Sequence, residues 1–132
     1  MSRFESHFAY FFAAAIGIKM VLAYAIPITA DEALFWIWGQ HLDISYYDHP
    51  PVTGWVVALF SLLGDHIFFS RLFSIVGGAL VAWGIYHIVA HSFGFPQKAR
   101  LISLAFLLSP LHLLFVMITT DSPGFLLVFG SG

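Results

Sequence analysis

The sequence contains no cysteine and very few charged residues. Of its 132 residues, five are Lys or Arg and seven are Asp or Glu, so charged side chains make up only 9%. Without cysteine the chain has neither a disulfide nor a thiolate metal site. A net charge of −2 also excludes the basic surface on which nucleic-acid binding depends. Because 60% of the residues are hydrophobic, we predict an integral membrane protein.

Long apolar runs divide the chain into segments that can cross a membrane. The runs at 8–28, 71–93 and 101–119 each hold roughly the 20 residues that a transmembrane helix needs. A further run begins at residue 123 and continues to residue 132. The sequence therefore predicts an all-α, polytopic helical bundle, and we expect residues 1–132 to be the N-terminal part of one larger membrane domain.

The run at 52–63 is too short to cross, because a helix of that length extends roughly 20 Å and the hydrocarbon core is roughly 30 Å thick. Charge agrees with length. If 52–63 stays on one side, Arg3 and the basic residues of 94–100 are all cytoplasmic, while six of the seven carboxylates lie outside. We therefore predict a cytoplasmic N-terminus, a cytoplasmic loop at 94–100 and a long outer loop at 29–70 with interfacial helices.

Two helix starts are visible inside this loop. Thr29 and Glu32 have the spacing of a capping box, which predicts a helix from Thr29 to about Leu42. Pro50 and Pro51 end the stretch that follows this helix, and they favour a new helix after them in the sequence. The predicted loop thus carries two short helices joined by an aromatic, acidic segment.

The acidic residues of the loop have both structural and chemical interpretations. Asp31 and Glu32 can stabilise the start of a helix, and Glu32 occupies the capping position, so Asp31 is the better candidate for a catalytic carboxylate. Asp48 can cap the helix that follows the prolines, or it can contact a substrate. Together with His49 it can also bind a divalent cation, although no fixed ligand spacing requires one.

Three further charged residues lie in or beside the spans. Lys19 is near the middle of the first span, where an ammonium group is costly and normally faces a polar interior. Arg71 can anchor its span at the headgroups or bind a lipid phosphate. Asp121 can start a helix, yet the predicted topology places it on the same side as Asp31.

The order of four motifs resembles a known family. These are Asp31-Glu32-Ala33, Tyr47-Asp48-His49-Pro50-Pro51, Arg71-Leu72 and Thr120-Asp121-Ser122-Pro123. In order and spacing they are similar to the N-terminal part of the protein-O-mannosyltransferase and aminoarabinose-transferase group of the C-type glycosyltransferase superfamily.

The resemblance implies a multi-pass enzyme of a bacterial plasma membrane that transfers a sugar from a polyprenyl-phosphate donor to a lipid or protein acceptor outside the cytoplasm. It implies a catalytic Asp31 with Glu32 beside it, and no cofactor other than a possible divalent cation at Asp48 and His49. The resemblance further implies that Tyr47, Asp48, Arg71 and Asp121 contact the substrate. The positive charge of Lys19 makes this residue a further candidate for binding the phosphate.

Two other classes fit the same composition. In a transporter or channel module, Lys19, Asp121 and the loop carboxylates form an ion path. In an accessory membrane subunit, the acidic loop binds a partner or a cation. A transporter places its carboxylates at the membrane midplane, whereas here five of the six outer carboxylates lie in one loop, which favours the transferase.

Overall fold

The computed structural model describes residues 3–47, 51–110 and 112, with the side chains of residues 3–6 excepted. Every regular element in this part of the chain is helical, which confirms the predicted all-α class. The helices are α1 (Arg3–Ala25), α2 (Ala30–Gln40), α3 (Val52–Ser61), α4 (Ile67–His87), a π-helical continuation of α4 (Ile88–Ser92), and α5 (Pro96–Leu108).

Two of the described helices are long and apolar enough to cross a membrane. They include His7–Ala25, with 19 residues, and Ile67–Ser92, with 26 residues. By contrast, α2 has 11 residues and α3 has 10. At about 1.5 Å per residue, α3 extends only about half the thickness of the hydrocarbon core.

Several boundaries differ from the predicted spans because of local backbone chemistry. Helix α1 ends at Ala25 rather than residue 28, since Pro27 disfavours helical backbone in the residue before it. Helix α4 starts at residue 67 rather than 71, because the Nδ1 atom of His66 accepts a hydrogen bond from the Phe68 amide at 3.1 Å and caps it.

The predicted loop at 94–100 is shorter in the structure. Helix α5 begins inside it, with Pro96 in the first turn, a position where the missing amide hydrogen costs nothing. Gly94 makes the turn between the two helices with a φ of 72°, a value that side chains rarely adopt. Helix α5 ends before Ser109, which is extended ahead of Pro110. Residues 111 and 113–119 of the predicted 101–119 span, and the run at 123–132, lie outside the described residues.

Small and polar residues line the faces by which α1, α4 and α5 pack together. In α1 and α5 the buried positions recur every fourth residue, while large apolar side chains such as Tyr10 and Leu101 are 71% exposed. Membrane helices pack in this way, because lipid solvates the large apolar side chains and small residues let backbones approach. The buried residues are Ala15, Lys19 and Ala23 in α1, Ser70, Arg71, Ser74, Ile75, Gly77, Gly78 and Ala82 in α4, and Ala99, Ser103 and Leu107 in α5.

Helices α2 and α3 pack against each other at close range. A Cβ atom at Gly39 would lie 2.7 Å from Cγ1 of Val57 and 3.2 Å from the backbone nitrogen of Ala58. Such distances leave no space for a methyl group unless the two backbones separate. Gly39 therefore allows the close approach of α2 to α3.

We expect Gly39→Ala to destabilise the protein by about 1–3 kcal/mol, because it overpacks the contact between α2 and α3. Gly84→Ala is the matched control, since Gly84 also lies inside a helix and, apart from its chain neighbours and its own helix backbone, no atom lies within 4 Å of the position that an added methyl group would take. Thermal unfolding of the full-length protein in detergent measures both. Equal midpoints for wild type and Gly39→Ala would contradict the close contact.

Cysteine labelling can test the predicted topology, and residues 1–132 contain no cysteine of their own. Ser45 and Gln97 are both exposed. We expect Ser45→Cys to react with a membrane-impermeant maleimide in intact cells and Gln97→Cys to react only after the membrane is opened. The reverse pattern would overturn the orientation.

Candidate functional site

The turn between α1 and α2 is held by the predicted capping box. The Glu32 amide donates a hydrogen bond to Oγ1 of Thr29 at 3.3 Å, and Oε2 of Glu32 accepts from the Thr29 amide at 3.0 Å. The two residues thereby satisfy amide groups that have no partner within the helix. The first turn of α2 is consequently fixed in place.

The Glu32 carboxylate also forms a buried ion pair with Arg71. Nε of Arg71 donates to Oε1 of Glu32 at 2.7 Å, and Nη2 donates to Oε2 at 2.8 Å. Both side chains are 1% exposed. The bidentate arrangement is the strongest form of charge-assisted hydrogen bond between protein side chains. It links the start of α2 to the first turns of α4.

The remaining N–H groups of Arg71 bind the end of α1. Nη1 donates to the carbonyl oxygens of Ala23 and Ile26, both at 2.7 Å, and Nη2 donates to that of Pro27 at 3.0 Å. Carbonyl groups at the end of a helix lack internal partners and carry partial negative charge, which a cation stabilises. All five donors of the guanidinium group are thus used within the chain.

Glu32 and Arg71 therefore connect three helices. We call this contact, with the carbonyl groups of Ala23, Ile26 and Pro27, the α1–α2–α4 joint. The sequence suggested separate chemical roles for the two charged residues, but the structure brings them together. A phosphate bound by Arg71 would have to replace at least one of its five hydrogen bonds.

Asp31 precedes Glu32 in the first turn of α2 but faces solvent. Its side chain is exposed, and no described residue donates a hydrogen bond to it. The joint thus holds one of the two neighbouring carboxylates and leaves the other accessible. Because the backbone of this turn is fixed at Thr29 and Glu32, the Asp31 side chain projects from a rigid position.

Lys19 lies one helical turn before Ala23, on the same buried face of α1. Its side chain is 2% exposed. A Cβ atom on Gly78 would lie 3.7 Å from Nζ of Lys19 and would overlap the ring of His112. Because Gly78 has no side chain, there is room for both Lys19 and His112. These two basic residues lie deeper in the bundle than the α1–α2–α4 joint.

The segment between α2 and α3 has one anchored and one exposed tyrosine. The Tyr46 hydroxyl donates to the Trp38 carbonyl at 2.9 Å, and the Tyr46 ring stacks on Trp38 with centroids 4.5 Å apart. A Cβ atom on Gly54 would lie 2.5 Å from this hydroxyl, so α3 packs directly against it. Tyr47, the predicted substrate contact, is fully exposed.

Three of the predicted site residues, Asp48, His49 and Asp121, lie outside the described residues. Their roles as substrate contacts, and the cation expected at Asp48 and His49, therefore stay predictions. Within the described residues, no group of three or more His, Asp or Glu side chains has the arrangement of a metal site.

Two structural residues were not singled out from the sequence. Tyr46 connects α2 to α3, and the only local indication is Gly54, which leaves space for its ring. His66 caps α4 and stacks on Tyr24 of α1 with ring centroids 5.0 Å apart. A histidine directly before an apolar run was the available indication, although Ser, Thr, Asp and Asn are the commoner caps.

These helices define an all-α membrane protein. Small residues lie at the helix interfaces, and the α1–α2–α4 joint holds the acidic turn at one end. The chain belongs to the dolichyl-phosphate-mannose-protein mannosyltransferase family, whose model matches residues 48–131. This confirms the predicted resemblance to the mannosyltransferase group.

A curated relative is the lipid A galacturonosyltransferase RgtD of Rhizobium johnstonii. It is 46% identical over 50 residues, which are 36% of this chain and 11% of that protein. The matched stretch therefore covers only a small part of the relative's length. No solved structure matches the chain.

Proposed function

We propose that the full-length protein transfers a sugar from a polyprenyl-phosphate donor to an acceptor hydroxyl on the non-cytoplasmic side of the membrane. The observation that carries the proposal is the exposed Asp31 carboxylate, which projects from a turn immobilised by the α1–α2–α4 joint. Membership of a mannosyltransferase family supports the reaction class.

In the proposed reaction Asp31 acts as general base. The acceptor oxygen attacks the anomeric carbon of the sugar, and the bond between that carbon and the phosphate oxygen breaks. The acceptor proton passes to Asp31 and polyprenyl phosphate leaves with the bonding electrons. Direct attack inverts the anomeric centre. A phosphate leaving group needs no proton, so a single essential carboxylate suffices, unlike in glycoside hydrolysis.

The cationic residues divide into two proposed roles. The leaving phosphate develops negative charge that a cation stabilises. We assign this role to Lys19 rather than Arg71, because the guanidinium group of Arg71 already uses its five donors within the joint. Arg71 and Glu32 then position Asp31, and Tyr47, Asp48 and Asp121 contact the substrates.

The relative's name suggests which acceptor and donor to test first. A lipid A acceptor and a polyprenyl-phosphate-linked hexuronic acid are the starting pair, with a lipid-linked hexose and a peptide acceptor as alternatives.

Purified full-length protein should transfer labelled sugar from the polyprenyl-phosphate donor and not from a nucleotide sugar. Adding a chelator to the same assay tests the cation predicted at Asp48 and His49. Inhibition that added metal reverses would support a metal site, and unchanged activity would exclude one. Absence of transfer from every lipid-linked sugar, together with ion flux in proteoliposomes, would replace the transferase by the transport hypothesis.

A further inference from the structure

A second candidate site lies at the opposite end of α1. A cavity of about 350 Å³ opens between the first turns of α1 and α5. Phe8 and Phe11 contribute one wall, and Leu101 and Leu104 contribute the other. The volume is within the range of clefts that hold small ligands, and most of the lining is apolar.

The polar residues of this cavity come from the N-terminal side of both helices. His7 precedes the two phenylalanines in α1, and Gln97 and Arg100 precede the two leucines in α5. The cavity is therefore polar where the two helices start and apolar further along them. An amphipathic ligand with a polar head and an apolar tail matches this gradient.

Arg100 has an unused hydrogen-bond donor. Its Nε atom is buried and has no hydrogen-bond partner among the described residues. A buried donor without an acceptor destabilises the protein, and more strongly when the group is charged. Because Arg100 lines the cavity, an anionic ligand there would offset this cost by pairing with the guanidinium charge.

The surroundings of Arg100 are electropositive. The N-cap of α5, Phe95, has no side chain that caps the helix, so amide groups of its first turn lack a side-chain acceptor. No acidic residue lies in the first turn of α5. Charge and cavity thus favour the same kind of ligand.

We propose that this cavity binds an anionic phospholipid of the leaflet predicted to face the cytoplasm. Its phosphate accepts hydrogen bonds from Arg100, and one acyl chain lies along the two phenylalanines and two leucines. Basic pockets between transmembrane helices on the cytoplasmic side suit such headgroups. A free phosphate ion would use only the polar end and leave the apolar walls without a function.

The proposal is independent of the sugar-transfer site. His7 and Ala25 are separated by about 27 Å at 1.5 Å per residue along α1. A lipid at the Arg100 end therefore cannot be the donor whose sugar reaches Asp31. Its binding would hold α1 against α5 and stabilise the bundle.

The test uses full-length protein in detergent to which phosphatidylglycerol or phosphatidylcholine is added, with retained lipid measured by native mass spectrometry and stability by thermal unfolding. We expect selective retention of phosphatidylglycerol and a raised midpoint. Arg100→Gln should weaken phosphatidylglycerol binding about tenfold or more, because a charge-assisted contact is lost. Lys98→Gln is the matched control, since Lys98 is exposed, lies over the Phe95 ring and does not line the cavity.

Leu104→Trp gives a second variant, which fills the apolar wall without changing charge. It should reduce retention of phosphatidylglycerol while the lipid-free midpoint stays close to wild type. Three results would each overturn the proposal: equal retention of the two lipids by wild type, equal loss in Arg100→Gln and Lys98→Gln, or full competition by inorganic phosphate. Loss of transferase activity has no bearing on these measurements.

Discussion

Replacing Asp31 by asparagine should lower the turnover of the full-length protein by about 10²–10⁴-fold, the usual contribution of a general base. The amide keeps the size of the side chain but cannot take up the acceptor proton. Because Asp31 is exposed and its side chain accepts no hydrogen bond from a described residue, we expect normal membrane levels and an unchanged thermal midpoint. The initial rate of sugar transfer at saturating donor and acceptor measures the effect.

The matched control for this substitution is Asp43→Asn. Asp43 is an exposed carboxylate of the same predicted outer loop, 29–70, and its Oδ1 atom accepts a hydrogen bond from the neighbouring Ile44 amide at 2.6 Å. We expect Asp43→Asn to retain most of the activity. Retained activity in Asp31→Asn would show that Asp31 is not the base and would leave Asp48 and Asp121 as the candidates for that role.

Replacing Arg71 by alanine should destabilise the protein by about 3–5 kcal/mol, the usual cost of removing one partner of a buried ion pair. The substitution leaves the buried Glu32 carboxylate without its counter-ion and deprives the carbonyl groups at the end of α1 of their donor. Arg71→Lys should be intermediate, because an ammonium group has three donors where the guanidinium group has five. Thermal unfolding in detergent measures both.

A double substitution separates the joint from a substrate role. In Glu32→Gln with Arg71→Gln no charge is left unpaired, so the stability loss should be smaller than the sum of the two single losses. If Arg71 instead bound the donor phosphate, Arg71→Ala would keep the wild-type thermal midpoint and would raise the KM for the donor. That combination would contradict the structural assignment.

Local features of this chain were predictable because they depend on neighbours in sequence. The capping box of Thr29 and Glu32 needs only a spacing of three residues, and the structure contains it. The short helix behind Pro51 was predictable for the same reason, since proline favours a helix start and apolar residues follow.

The α1–α2–α4 joint was not predicted, because Glu32 and Arg71 are 39 residues apart and meet only when α4 crosses the end of α1. A general indication was available. Charges between apolar segments are costly to bury singly, so buried ones are paired. That rule predicts that partners exist but does not identify which of several carboxylates Arg71 takes.

By itself the sequence determined the membrane class and the approximate positions of the helices, because apolar length, capping and proline geometry act over a few residues. The capping position alone favoured Asp31 over Glu32 as a candidate, and only the tertiary structure showed that Glu32 is buried against a partner while Asp31 is exposed. Consecutive residues on a helix point about 100° apart, so one neighbour faces α4 and the other faces solvent. Glu32 is buried against Arg71, and Asp31 is the carboxylate that the fold leaves exposed.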